Sequence, residues 1–190
     1  GVKNGIGTMD RSFESLLANH CAPVLFGKKP AALLAEKALP KNCPWSLLHK
    51  RGFHVLRLCW RGGTALTLVY HPALLGAALS QSLVRGELAA MGYPAGGDWR
   101  AHLRFLRGRF SESAEFPHEI GFFLGYPPED VIGFIERKTA CKLSGQWKVF
   151  GDMERAAAMF EEYDLCKRAL LSHIENGGSI FTADLPTLAV

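Results

Sequence analysis

A chain of 190 residues, 48% apolar and 21% charged, has the size and composition of one well-cored domain, not of a disordered segment or a cysteine-stapled miniature. A net charge of +4 is too mild to imply a nucleic-acid partner. No run nears the roughly 18 apolar residues that read as a membrane span, so no membrane association is expected.

Residues 1–9 (GVKNGIGTM) are glycine-rich and read as a flexible lead into a domain spanning 10–190. A helix is expected over 10–19, with Phe13, Leu16 and Leu17 on one face and an end near Pro23, since a proline disfavours helix in the residue before it. Pro30 and Pro44 each suit the first position of a short helix, over 30–37 and 44–50. The sharpest local signal is a hairpin. Residues 53–61 are rich in strand formers, Gly62-Gly63 makes a two-residue turn, and 64–70 return. On strict alternation, Cys59 shares a side with Phe53 and Val55, opposite Leu56 and Leu58.

Helical patterns follow over 71–91, with a break near Ser80, and over 99–110 behind the N-cap Asp98. Two shorter helices are expected at 117–124 and 128–138. Residues 146–150 (QWKVF) form a candidate third strand for the hairpin. Asp152 caps the longest helix, 152–175, and an apolar tail from 179 packs back. Strands are few and do not alternate with helices, so the expected class is α+β: helix-rich, with a small antiparallel sheet.

Phosphate-cradling glycine loops, nucleophile elbows and zinc spacings are all missing. The five cysteines, at 21, 43, 59, 141 and 166, form no C-x-x-C pair and are odd in number, which reads as reduced thiols in the cytoplasm. Chemistry therefore has to be sought in clusters. His20-Cys21 couples an imidazole to a thiol at an expected helix end. His118-Glu119 sits at an expected helix start, where the positive helix end favours a neutral imidazole and an anionic carboxylate, with Glu115 four residues earlier. Arg100 and Arg104, with Arg107, make a basic stripe, and Trp147-Lys148 offers an aromatic and a cation as cofactor contacts.

Three segments together resemble the bacterial family called domain of unknown function 3793. They are His20-Cys21-Ala22-Pro23, the run EFPHEIGFFLGYPPEDVIGFI over 115–135, and Trp147-Lys148-Val149-Phe150-Gly151-Asp152. The closing Leu188-Ala189-Val190 is similar as well. Ser144 stands where many relatives carry cysteine, which argues against a metal or redox pair with Cys141. The resemblance implies kinship and no particular chemistry.

The leading expectation is an intracellular bacterial protein that binds a metal, a metal-containing cofactor or a small anion. Its site joins the His20-Cys21 and His118-Glu119 segments, with His20, Cys21, Glu115, His118 and Glu119 as metal ligands. One alternative is an enzyme with Cys21 as nucleophile and His118 as base, Glu119 assisting. A second is a protein-interaction module that uses the hairpin or the tail.

Overall fold

In the computed structural model, the described residues are 9–37, 44–181 and 185; residues 1–8, Cys43 and Leu188-Ala189-Val190 lie outside them. The elements run α1 Met9–Leu25, β1 Ala31–Glu36, α2 Trp45–Lys50, β2 His54–Arg61, β3 Thr64–Tyr70, α3 Pro72–Leu79, α4 Ser82–Ala90 and α5 Trp99–Glu112. There follow α6 Ile120–Phe123, α7 Pro128–Glu136, β4 Leu143–Ser144, β5 Lys148–Val149 and α8 Met153–Glu175. The fold is α+β, with a small antiparallel sheet and a long final helix.

The hairpin forms as its sequence dictates. Gly62 and Gly63 take φ of 55° and 79°, the positive values that let a two-residue turn follow the strand twist. β2 and β3 pair antiparallel, with an irregularity between Arg57 and Cys59. The extra residue there is Leu58, and it reverses the alternation beyond it. Cys59 therefore packs toward the same core as Leu58, contrary to strict alternation.

The third strand comes from the other end of the chain. Residues 31–36 (AALLAE), expected as helix behind Pro30, form β1 and pair antiparallel with β3, giving the order β1-β3-β2. Alanine, leucine and glutamate favour helix intrinsically, but tertiary pairing overrides that weak preference. Both faces of β1 are covered: Ala31 joins one core while Ala32 and Leu34 join another. The expected strand at 146–150 does not join this sheet. Lys148–Val149 pairs instead with Leu143–Ser144 in a separate two-stranded ribbon.

The sheet carries a helical layer on each face. Leu66, Leu68 and Tyr70 of β3 pack with residues of α3 to α7, and Val69 packs with α1 and α8. The first helix runs past its expected end, through Pro23 to Leu25, and so includes Met9. Proline removes one backbone donor, but the Asn19 carbonyl that loses its partner belongs to an exposed residue, whereas Ala22, Val24 and Leu25 are buried. Burial of that last turn outweighs the lost bond. The tail returns as expected: Ile180 is fully buried, and its N–H donates to Glu14 of α1 at 3.0 Å. No helix among the described residues is long and apolar enough to cross a membrane.

Candidate functional site

A cleft of about 470 Å³ opens among α1, the segment entering β1, the α6–α7 region and the β4–β5 ribbon. Its polar lining includes His20, Lys29, His118, Gln146 and Lys148. Its apolar walls include Phe116, Tyr126, Phe134 and Trp147. The three segments that carried the family resemblance thus meet on one concavity, although they lie far apart in sequence.

Lys29 is the unexpected member. The chain leaves α1 through Gly27, whose φ of 70° a side chain rarely adopts, and folds Lys29 inward just before β1. Lys29 is only 9% exposed. Its Nζ lies 5.5 Å from the Tyr126 ring centre and 5.7 Å from that of Tyr163. Among the described residues, no carboxylate or hydrogen-bond acceptor pairs with it; Lys28, its neighbour, reaches Glu162 on the surface instead. Burial lowers its pKa from 10.5 to about 8, opposed only in small part by the nearby Cys21.

Asp130 organises the cleft floor. It is 1% exposed, and its carboxylate accepts from Trp147 Nε1 at 2.9 Å and from the backbone N–H groups of Phe150 and Gly151, both at 2.8 Å. Trp147 is thereby held stacked on Tyr126, with ring centres 4.7 Å apart. Two glycines of the 115–135 run permit the approach. A Cβ on Gly133 would lie 2.5 Å from Phe150 Cγ, and one on Gly125 (φ 78°) would lie 2.4 Å from Pro30 Cδ. The first contact lets the ribbon settle on α7. The second brings the α6–α7 turn against the segment that carries Lys29.

The expected site residues part company within each pair. His20 and His118 are exposed and line the same cleft. Cys21 is fully buried, and desolvation pushes its thiol from 9.0 up to about 12, with Lys29 opposing. This is the reverse of an activated nucleophile and also of a thiolate ligand. Native protein at neutral pH is therefore expected to leave Cys21 unalkylated by iodoacetamide, with modification following unfolding. Peptide mass spectrometry checks this, and fast labelling of Cys21 in the folded state would contradict it.

Glu119 is 2% exposed and already occupied, accepting from Tyr93 Oη at 3.0 Å and pairing with Arg109. It ties α5 to the start of α6. His118 and Glu119 form a turn before α6, which is only four residues long, so the helix-end electrostatics expected for them do not apply. Glu115 is exposed and lines a neighbouring depression that also borders His118. Arg100 and Arg104 line a separate groove of about 260 Å³ with His54, Tyr70 and Trp99, sharing no residue with the cleft. There Arg100 lies 4.2 Å from the Trp99 ring centre and 3.4 Å from Asp98. Trp147 and Lys148, in contrast, do belong to the cleft.

Among the described residues, no three His, Cys, Asp or Glu side chains gather as a metal would need. Lys29 and Asp130 were the residues sequence reasoning missed. The acidic pair Glu129-Asp130, in the first turn of α7, has the look of an ordinary complement to the helix dipole, and nothing in Lys28-Lys29-Pro30 says which lysine turns inward. A family model matches residues 17–182, and its description is protein of unknown function (DUF3793). No curated protein and no solved structure matches the chain.

Proposed function

The chain belongs to the DUF3793 family of proteins of unknown function, and we propose that its cleft binds a small organic anion. The observation that carries this reading is Lys29, a buried ammonium with no counter-charge among the described residues, on the wall of a roughly 470 Å³ concavity. A cation with little access to water is unfavourable, and a bound carboxylate or phosphate relieves it with a charge-assisted hydrogen bond. Lys148, His20 and His118 add further donors around the same space. The carboxylate of Asp130 is engaged by three donors of the protein itself, so it does not stand ready for a cation. Aromatic walls suit a ligand with a flat apolar body. A metal ion fits this lining less well, because no three His, Cys, Asp or Glu side chains gather among the described residues and Asp130 is already engaged. A cysteine-dependent reaction fits less well too, because Cys21 is sealed in the core.

Isothermal titration calorimetry with benzoate tests the proposal. Saturable binding is expected at pH 7, weakened by about tenfold or more in Lys29→Met, the loss expected for one charge-assisted hydrogen bond. Unchanged affinity in that variant, or no binding by wild type to benzoate or to a phenyl phosphate control, would count against it.

A further inference from the structure

We infer that the bound anion also carries a carbonyl group, and that Lys29 condenses with it to form a reversible imine. This rests on the anion-binding reading and extends it to a ligand class, the aldehyde or oxo acids. The geometric ground is the placement of a largely buried primary amine on the wall of a cleft that also holds histidines and a second, exposed lysine. Lys29 emerges from the turn between α1 and β1, with its Nζ against Tyr126 and Tyr163 and, among the described residues, with no acceptor to hold its protons. Ordinary surface lysines are protonated and hydrated, and both conditions suppress attack on a carbonyl. Burial relaxes both. Burial lowers its pKa from 10.5 to about 8, so Lys29 is neutral at pH 7 far more often than a surface lysine.

The remaining requirements of the step lie around the same cleft. The Nζ lone pair attacks the carbonyl carbon and forms the C–N bond, while the carbonyl π pair moves to oxygen. Oxygen gains a proton and nitrogen loses one, giving the carbinolamine. Loss of water then needs an acid, because hydroxide is a poor leaving group. An imidazole can supply that proton, and His20 and His118 both line the cleft. The hydroxyl leaves as water, and the nitrogen lone pair closes the C=N bond. No oxidant or reductant is involved, and hydrolysis regenerates the free amine. Lys148, exposed at the rim with its Nζ 5.8 Å from the Phe134 ring centre, is placed to meet the acid group of the same ligand.

The test uses 4-formylbenzoate, which combines a carboxylate, a flat body and an aldehyde. The full chain is incubated with it and sodium cyanoborohydride near neutral pH, and the reduced adducts are mapped by peptide mass spectrometry. One adduct is expected, on Lys29, forming at least tenfold faster than on any other lysine and slowed by excess benzoate. Lys29→Arg offers no condensing amine and should lose that adduct. Labelling spread evenly over the lysines, or an unmodified Lys29, overturns the imine. If benzoate binds wild type even so, the anion reading survives and only its extension falls. Mapping on the wild-type chain keeps this outcome decisive even if the variant folds poorly.

Discussion

Asp130→Ala is expected to destabilise the protein by about 3–5 kcal/mol, the largest loss anticipated from one side chain near the cleft. Three donors converge on that carboxylate, namely the Trp147 indole and two successive backbone N–H groups. Hydrogen bonds to a charged group contribute about 1.5–3 kcal/mol each, and a buried donor left without a partner costs about 1–3 kcal/mol. The full sum is not reached, because the N–H groups of Phe150 and Gly151 are only part-buried and water can reach them. The indole has no such recourse, since Trp147 is buried against Tyr126 and Phe160. Asp130→Asn keeps one carbonyl oxygen for the backbone pair but turns an amide donor toward the indole, so about half the loss is expected. Urea denaturation at pH 7 followed by tryptophan fluorescence measures both variants. A change below about 1 kcal/mol for the alanine variant would show that the ribbon is held by packing alone. Benzoate binding should also weaken, since Trp147 and Lys148 line the cleft from the ribbon that Asp130 pins.

What the sequence made legible follows from the range of the forces involved. The β2–β3 hairpin, the capped starts of α5 and α8, and the break near Ser80 are set by residues within a few positions, and each appears as read. β1 was not legible, because AALLAE favours helix until β3 offers an edge some 35 residues later. The continuation of α1 through Pro23 was hidden for the same reason: what outweighs proline there is burial, which a local rule does not count. The bulge at Leu58 is invisible to a strict alternation count and moves Cys59 to the opposite face. The site shows the same division. His20 and His118 were marked as reactive types outside regular apolar stripes, and both line the cleft. Their neighbours Cys21 and Glu119 had the same chemical credentials, yet one lies in the core and the other is clamped by Tyr93 and Arg109. Reactivity depends on burial and partners, and those come from elements distant in sequence. Lys29 illustrates this most directly, because Lys28 beside it is an ordinary surface cation paired with Glu162.

Replacing Lys29 with methionine is expected to stabilise the protein by about 3 kcal/mol at pH 7 and to leave stability nearly unchanged above about pH 10.5. The direction follows from where the proton resides. Lys29 has its pKa near 8 when folded and at 10.5 as a free side chain, so below pH 8 both states hold the proton and the folded state carries the whole desolvation cost. At about 1.36 kcal/mol for each pKa step, that cost is about 3 kcal/mol. Between pH 8 and 10.5 the folded chain releases its proton first, wild type gains stability, and the advantage of methionine shrinks. Once the amine is neutral in both states the penalty is gone. Cys21, Tyr126 and Tyr163 face or adjoin the ammonium and have pKa values raised by burial, so each contributes stability that is lost as the solution becomes strongly alkaline. They remain in the variant, which is why the comparison is a difference between two proteins at each pH. Paired urea titrations at pH 7 and near pH 10.5 supply it. A variant less stable than wild type at pH 7 would mean that Lys29 contributes more through contacts with its aromatic neighbours than it loses by desolvation. Its reading as an unsatisfied charge would then fail. A gain at neutral pH that comes with lost benzoate binding would instead show an unpaired cation retained against stability, the usual mark of a residue kept for what it binds.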